Sequence, residues 1–224
     1  MSMNKNSRFI VIDGPDGCGK STQVKLLSQY LRSDAHERSA PHPKASGRNQ
    51  HKRVLMVRDP GSTPISEGIR KILLNPHYKE MTPLTELFLY FASRHQLVDQ
   101  VIKPALKKNI TVICDRFLSS TIVYQGYAGN IGAKKVSNLW HLATGGFEPD
   151  ITIILDVPPE KGFERIRNSR SSHDRMEQKA LLFHKKVRQG FIKLAKSDRR
   201  KYHLIDGTMS IEEIQTEIRK IIKV

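Results

Sequence analysis

The sequence predicts a single α/β domain, residues 1–224, built on a five-stranded parallel sheet with helices on both faces. Two observations carry this. Five short apolar or β-branched runs recur along the chain: Phe9 to Ile12, Val54 to Val57, Thr111 to Cys114, Ile151 to Leu155 and Tyr202 to Ile205. Each is followed by polar turn residues and, for the most part, by a stretch with helical periodicity. Near-continuous apolar strands alternating with amphipathic helices are the pattern of a parallel sheet buried on both faces and joined by right-handed crossovers. A chain of 224 residues buries enough apolar surface to need no disulfides.

The elements follow in order. After the first run come the glycine-rich stretch Gly14 to Ser21 and a helix-like segment, Thr22 to Leu31, with Val24, Leu27 and Leu31 on one face. Residues 33–53 are rich in Ser, His, Pro, Lys and Arg and nearly empty of large apolar side chains, so they read as a solvated basic insertion loop. A long helical stretch runs from about Leu84 to Lys108, and Pro104 within it is expected to kink or end it locally. At the C-terminus Ile211, Ile214, Ile218, Ile221 and Ile222 share an apolar helix face. No internal repeat is evident.

The formal charge of +16 points to polyanionic company, whether nucleic acid, an acidic membrane surface or phosphorylated small molecules. The longest apolar runs are far too short to cross a bilayer and the N-terminus lacks a signal-like apolar stretch, so a soluble cytoplasmic protein is expected. The two cysteines, Cys18 and Cys114, are the sparse usage of a reducing compartment and are read as free thiols.

Gly14, Gly19, Lys20 and Ser21 satisfy G-x-x-x-x-G-K-[ST] between a strand and a helix, where the mechanism of that motif requires it. Glycines let the backbone fold around phosphates, while N–H groups and the positive helix end point at the anion. The loop from Gly14 through Pro15, Asp16, Gly17, Cys18 and Gly19 to Lys20, Ser21 and Thr22 is therefore expected to hold a nucleoside triphosphate. Lys20 would carry charge to the β and γ phosphates. Ser21 would ligate Mg²⁺, whose octahedral oxygen shell is completed by phosphates and water. Cys18, at a helix N-terminus, is expected to have a depressed pKa and to react with alkylating reagents unless ATP is bound. The guanine-reading set N-K-x-D is absent, since Asn4-Lys5-Asn6-Ser7 precedes the first strand and lacks the aspartate, which argues against a GTPase.

Further motifs gather at strand ends and on the long helix: Arg58-Asp59-Pro60-Gly61-Ser62-Thr63, Tyr90-Phe91-Ala92-Ser93-Arg94, Asp115-Arg116-Phe117-Leu118-Ser119-Ser120-Thr121, and Tyr124-Gln125-Gly126. With the loop, Glu148-Pro149-Asp150, Leu155-Asp156-Val157 and Asp174-Arg175-Met176-Glu177, the chain closely resembles bacterial thymidylate kinase from about residue 8 to the C-terminus, interrupted by residues 33–53. The resemblance implies a P-loop nucleoside monophosphate kinase fold, a homodimer, and transfer of the γ-phosphoryl group of ATP, with Mg²⁺, to dTMP, giving dTDP for dTTP biosynthesis. Such a reaction asks little of a general base and much of positioning and charge neutralisation, because the acceptor phosphate is already an anionic nucleophile.

By that resemblance Asp16 stands against the 3′-hydroxyl of dTMP, and Tyr90 takes the place of the phenylalanine that generally stacks on thymine, offering its ring face. Arg94 matches the arginine that donates to thymine O4, where cytosine would present a second donor. Arg116 matches the arginine on the acceptor phosphate, and Asp115 the group linked, through water, to Mg²⁺. Thr121 matches the polar position that reads thymine N3, with Ser120 and Gln125 nearby, and Tyr124 the aromatic that crowds the sugar and favours deoxyribose. Arg58 and the Asp59-Pro60 bond, cis by resemblance, shape the acceptor site from another strand end.

The resemblance also makes residues 165–178, with Arg165, Arg167, Arg170 and Arg175, a lid over ATP. Arg165 falls against adenine, with Asp206-Gly207-Thr208 on the other side of the base. Groups of this family place a transition-state arginine either in the phosphate loop or in the lid. Gly17 occupies the loop slot, so the catalytic arginine is expected from the lid, at Arg170 or Arg167, acting with Lys20, Arg116 and Asp16. The alternatives are another P-loop nucleotide or deoxynucleoside kinase and, more remotely, a nucleic-acid-binding P-loop ATPase. Much of the excess arginine falls at strand ends and in the lid, where small phosphates account for it, so neither nucleic acid nor membrane is the expected partner.

Overall fold

The computed structural model describes residues 7–37, 53–169 and 174–222. Most of the 33–53 segment, and Arg170 with the residues just after it, lie outside the described residues. Among the described residues, β1 (Phe9–Asp13), β2 (Val54–Arg58), β3 (Thr111–Asp115), β4 (Ile151–Asp156) and β5 (Tyr202–Asp206) form one parallel sheet in the order β2-β3-β1-β4-β5. Each strand stands where an apolar run predicts it. β1 and β3 are neighbours although β2 separates them in sequence, so their carboxyl ends border the crevice where open α/β sheets bind ligands.

The helices are α1 (Lys20–Glu37), α2 (Pro64–Leu74), α3 (Pro83–Leu97), α4 (Lys103–Lys107), α5 (Leu118–Thr121), α6 (Ala133–Thr144), α7 (Pro159–Ser169), α8 (Leu181–Ser197) and α9 (Ile211–Ile222). Phe9 and Val11 pack with α3, α4 and α6, whereas Ile10 and Ile12 pack with α1 and α9. All four are buried, which is why β1 reads as an unbroken apolar run and not an alternating one. A third cluster joins Ile154 of β4 to Val187, Phe191 and Ala195 of α8. No helix among the described residues is long and apolar enough to cross a membrane, and both cysteines are free and buried.

Thr63 and Thr82 cap α2 and α3 by accepting from the N–H groups of Ser66 and Thr85, each with a proline at the helix start. The local kink or end expected at Pro104 takes the form of a π-helical interruption. The chain passes from α3 through a π-helical turn at Val98–Ile102 into α4, with the Lys103 N–H bonded to the Val98 carbonyl five residues back. That wider turn accommodates the proline ring and its missing donor without ending the helix. On α9, Ile214, Ile218 and Ile222 are buried as the periodicity predicts and Ile221 is part-buried, but Ile211, the first residue of the helix, is 49% exposed.

Leu27 is fully buried where α1 meets the sheet and α9. Leu27→Ala should lower the unfolding free energy by about 2–5 kcal/mol, from lost burial plus the cavity left behind, read as a lower urea midpoint at unchanged slope.

Candidate active site

The phosphate loop leaves β1 at Asp13 and enters α1 at Lys20. At Gly17, φ is +73° and space is also closed: an added Cβ would stand 2.1 Å from the Gly162 carbonyl oxygen on α7. The converse holds at Gly162, whose Cβ would stand 2.3 Å from the Asp16 carbonyl oxygen. Loop and helix therefore meet backbone to backbone, and no side chain fits at either position.

Lys20 folds its Nζ back onto the carbonyls of Gly14 (3.2 Å) and Pro15 (2.7 Å). Asp13, fully buried at the end of β1, accepts from the Gly14 N–H (2.8 Å), Ser119 Oγ (2.5 Å) and Ser120 Oγ (2.7 Å). These bonds tie the loop to α5. Ser21 Oγ donates to Asp115 Oδ2 at 2.5 Å, so the two expected metal ligands are adjacent. With its proton given to Asp115, Ser21 keeps its oxygen lone pairs available. Two oxygens beside a phosphate loop fit Mg²⁺, which draws its remaining ligands from phosphates and water. Among the described residues no cluster of three or more His, Cys, Asp or Glu competes with that site.

Arg116 follows β3 with φ of +68°, a left-handed conformation that costs a non-glycine residue strain and here turns its guanidinium toward the loop. It donates to the Gly14 carbonyl and to Ser120 Oγ, both at 3.0 Å, and pairs with Asp16. The Tyr124 hydroxyl donates to the other Asp16 oxygen at 2.7 Å. Burial pushes the Asp16 carboxyl up, but Arg116, Lys20, the Tyr124 hydroxyl and His184 outweigh it and hold the group below the usual carboxylate range. Burial and the Asp16 charge push the Tyr124 phenol well up, which keeps it a donor.

Deeper in, Arg94 is 1% exposed. Its Nε donates to Asp59 at 2.5 Å and one Nη donates to Thr121 Oγ1 (2.7 Å) and the Phe117 carbonyl (3.3 Å), and the guanidinium lies 5.4 and 5.5 Å from the ring centroids of Phe117 and Trp140. Its other terminal nitrogen, Nη1, is buried without a hydrogen-bond partner. The Asp59–Pro60 bond is cis, as expected. Ser120 and Thr121 lie on α5, and a π-helical segment, Ile122–Ala128, carries Tyr124 and Gln125. Gln125 Nε2 donates to Glu86 at 2.7 Å, and Glu86 accepts from Arg175 at 2.5 Å. Arg175 thus braces α3 from the segment after α7, with its Nε on the Leu73 carbonyl.

These side chains enclose a cavity of about 380 Å³, with Asp16, Tyr90, Arg94, Arg116 and Tyr124 in its wall. Arg58 reaches the same cavity while paired with Glu67 at 2.9 Å. Arg70 of α2, which carries no recognisable motif, also lines it and donates to the Pro60 carbonyl at 3.0 Å. Only the turn of α2 back over the Asp59–Pro60 bond reveals that position.

A second cavity of about 630 Å³ lies on the other side of the loop, bordered by Cys18, Gly19, Thr22, Arg165, Met209 and Ile211. Arg165 donates to the Gly207 carbonyl at 3.0 Å; the Gly207 N–H reaches the Asp156 carbonyl, and Asp206 Oδ1 accepts from the Thr208 N–H. The expected base-flanking residues are thereby brought together. Gly17, Lys20, Ser21 and Ile166 border both cavities. Arg167 is exposed on α7 and lines neither. Cys18 differs from expectation: burial raises its thiol pKa and outweighs the nearby Lys20 and Arg116 charges. A helix N-terminus and nearby cations depress a thiol only where burial does not cost the thiolate more than they return.

A loop with the phosphate-binding pattern, standing as the shared wall between one cavity lined with several arginines and another bordered by both polar and apolar side chains, defines a phosphotransferase on the P-loop scaffold. The family model described as thymidylate kinase matches residues 44–218, and one described as Rad17 P-loop domain matches residues 1–81. The thymidylate kinase of Geotalea uraniireducens (strain Rf4) is 40% identical over 215 residues, covering 94% of this chain and 93% of that protein. That of Kosmotoga olearia is 42% identical over 212 residues, covering 95% and 93%. The crystal structure of thymidylate kinase from Ehrlichia chaffeensis superposes with a TM-score of 0.70 at 30% identity, covering 97% of this chain and 99% of that one. The chain belongs to the thymidylate kinase family.

Because burial keeps the Cys18 thiol protonated, iodoacetamide should leave it unlabelled in the native protein at neutral pH with or without ATP, and label it after unfolding. Mass spectrometry of the Cys18 peptide checks this; rapid native labelling would contradict it.

Proposed function

We propose that this protein transfers the γ-phosphoryl group of ATP to the phosphate of dTMP, giving dTDP. The observation that carries the reading is Arg94 Nη1, a buried guanidinium nitrogen with no partner, on a residue that lines the acceptor cavity. Leaving such a donor unpaired is costly, and a base carbonyl satisfies it. Thymine O4 is an acceptor, whereas the cytosine amino group would set donor against donor. Arg116, with Arg58 and Arg70 around it, supports an anionic acceptor group in the same cavity. Asp16, ionised and lodged between Arg116 and Tyr124, supports contact with the 3′-hydroxyl, and Tyr90 offers a ring face to the base.

On the donor side Lys20 would exchange its loop carbonyls for phosphate oxygens, and Arg165 with Asp206-Gly207-Thr208 would flank adenine. Ser21 and Asp115 would hold Mg²⁺, which supplies charge neutralisation at the phosphates. With Gly17 closed to any side chain, the positive charge for the transferring group comes from the lid, at Arg170 or Arg167. A homodimer is part of the same reading, supported by the exposed apolar side chains Ile65 and Ile72 of α2 and Leu84 and Phe88 of α3. A cytoplasmic location is supported by two free thiols.

Phosphoryl-transfer assays with dTMP, dUMP, dCMP and thymidine test the function. Turnover of dTMP is expected to exceed that of dCMP by about 10²-fold or more, from the misfit at Arg94. Comparable rates with dCMP would overturn the reading of the base, and preference for thymidine would make the protein a nucleoside kinase. Arg170→Ala should lower kcat by at least about 10²-fold with little change in the KM for dTMP, as for a group acting in the transition state. A normal rate in that variant beside a depressed one in Arg167→Ala would move the role to Arg167.

A further inference from the structure

Behind the wall of the acceptor cavity stands a buried carboxylate that the reaction as described does not use. Glu86, on the first turn of α3, is 5% exposed and does not border the cavity, whereas Gln125, 3% exposed, does. The two Glu86 oxygens are committed separately: Oε1 accepts from Gln125 Nε2 at 2.7 Å, and Oε2 accepts from Arg175 Nη2 at 2.5 Å, with Lys179 Nζ 3.9 Å away. Arg175 is itself fastened, its Nε donating to the Leu73 carbonyl at 2.7 Å and its N–H to the Leu74 carbonyl at 3.2 Å. Apolar side chains of the same volume would fill this space without the desolvation that a buried carboxylate and guanidinium incur, so packing alone does not account for them.

A carboxylate paired with a guanidinium can only accept, so the Gln125 amide has one permitted sense: its NH2 faces Glu86 and its carbonyl oxygen, Oε1, is turned the other way. Reversing the amide would set oxygen against oxygen in a buried site. Thr121, on the wall of the same cavity, already accepts from Arg94 with its Oγ1. The cavity therefore offers a base one unpaired donor, Arg94 Nη1, and one oriented acceptor, Gln125 Oε1. An imide edge, a carbonyl beside an N–H as in thymine O4 and N3–H, matches that pair; the cytosine edge, an amino group beside a bare ring nitrogen, opposes both. We propose that Glu86 is a positioning residue for base recognition: by holding the Gln125 amide in one sense, it presents a carbonyl and not an amino group to N3 of the acceptor base. This rests on the reading of dTMP as the acceptor given above.

The test measures kcat/KM for dTMP and for 5-methyl-dCMP, which keeps the thymine methyl group and changes only the base edge, in the full-length enzyme, Glu86→Gln, Gln125→Leu and the double variant. In Glu86→Gln the new amide keeps its carbonyl on Arg175 and turns its NH2 to Gln125, which reverses the Gln125 amide and sets donor against donor at thymine N3–H. The preference for dTMP over 5-methyl-dCMP should shrink at least about ten-fold in Glu86→Gln, and by less in Gln125→Leu, which removes the acceptor without supplying a donor. The double variant should match Gln125→Leu, because Glu86 acts through the amide that is then gone. A Glu86 that only supports the fold lowers kcat/KM for both acceptors equally; that result, or a Glu86→Gln effect that persists in the Gln125→Leu background, overturns the proposal. Should Glu86→Gln fail to fold, Glu86→Leu with Arg175→Met replaces the buried pair by apolar side chains, and a preference equal to that of the unsubstituted enzyme overturns the proposal. Strong discrimination in the unsubstituted enzyme that Glu86→Gln leaves unchanged defeats this inference alone. An unsubstituted enzyme that uses both acceptors alike, or does not phosphorylate dTMP, defeats the reading of the base beneath it as well.

Discussion

The carboxylate of Asp13 joins the two strand ends on which the site is built. It takes the first N–H of the phosphate loop and both serine hydroxyls of α5, and lies 3.6 Å from the Arg116 guanidinium. Burying a carboxylate costs several kcal/mol unless charge-assisted hydrogen bonds replace its water, and these contacts do so. Because β1 and β3 are neighbours only through the sheet order, this one group converts a topological adjacency into a fixed distance between the phosphate loop and the residues that follow β3. The left-handed backbone of Arg116 and the short path from Ser21 to Asp115 both depend on that distance being held.

Around this anchor four arginines already have an acidic partner: Arg116 with Asp16, Arg94 with Asp59, Arg175 with Glu86, Arg58 with Glu67. The side chains of Arg58 and Glu67 are exposed; the buried pairs are poor evidence for stability, since desolvation offsets much of their attraction, and burial does push the Asp59 carboxyl up even against Arg94. Their value lies in geometry. A guanidinium locked by two or three bonds presents its remaining donor in one direction, so binding a substrate requires little reordering.

The strands and the phosphate loop were legible because each is written in local composition: an unbroken apolar run, or glycines at set spacing before a helix. The residues around Arg94, Arg116 and Tyr124 were legible through motifs at strand ends, and the structure gathers them about one cavity. What escaped notice depends on tertiary contact. Asp13 reads as a strand's last polar residue, Arg70 and Glu86 as ordinary helix residues, and Arg175 as one more basic lid residue, although it is buried against α3. The π-helical turns absorb Pro104 and arrange Tyr124 and Gln125, but a one-residue widening leaves no periodic trace. At Cys18 a local rule about helix ends was overruled by burial.

The meeting of Gly17 and Gly162 bears on how this chain can change. A side chain at position 17 must displace main-chain atoms of α7, and one at position 162 must displace the loop carbonyl of Asp16, so neither glycine can be exchanged while the other partner stays where it is. Placing a charged side chain in the loop at position 17 is therefore not a single-step route for this sequence. Helix and loop would first have to part, and the chain would pass through a form in which neither arrangement is intact. A contact between two residues that carry no side chain thus constrains where an arginine can be used.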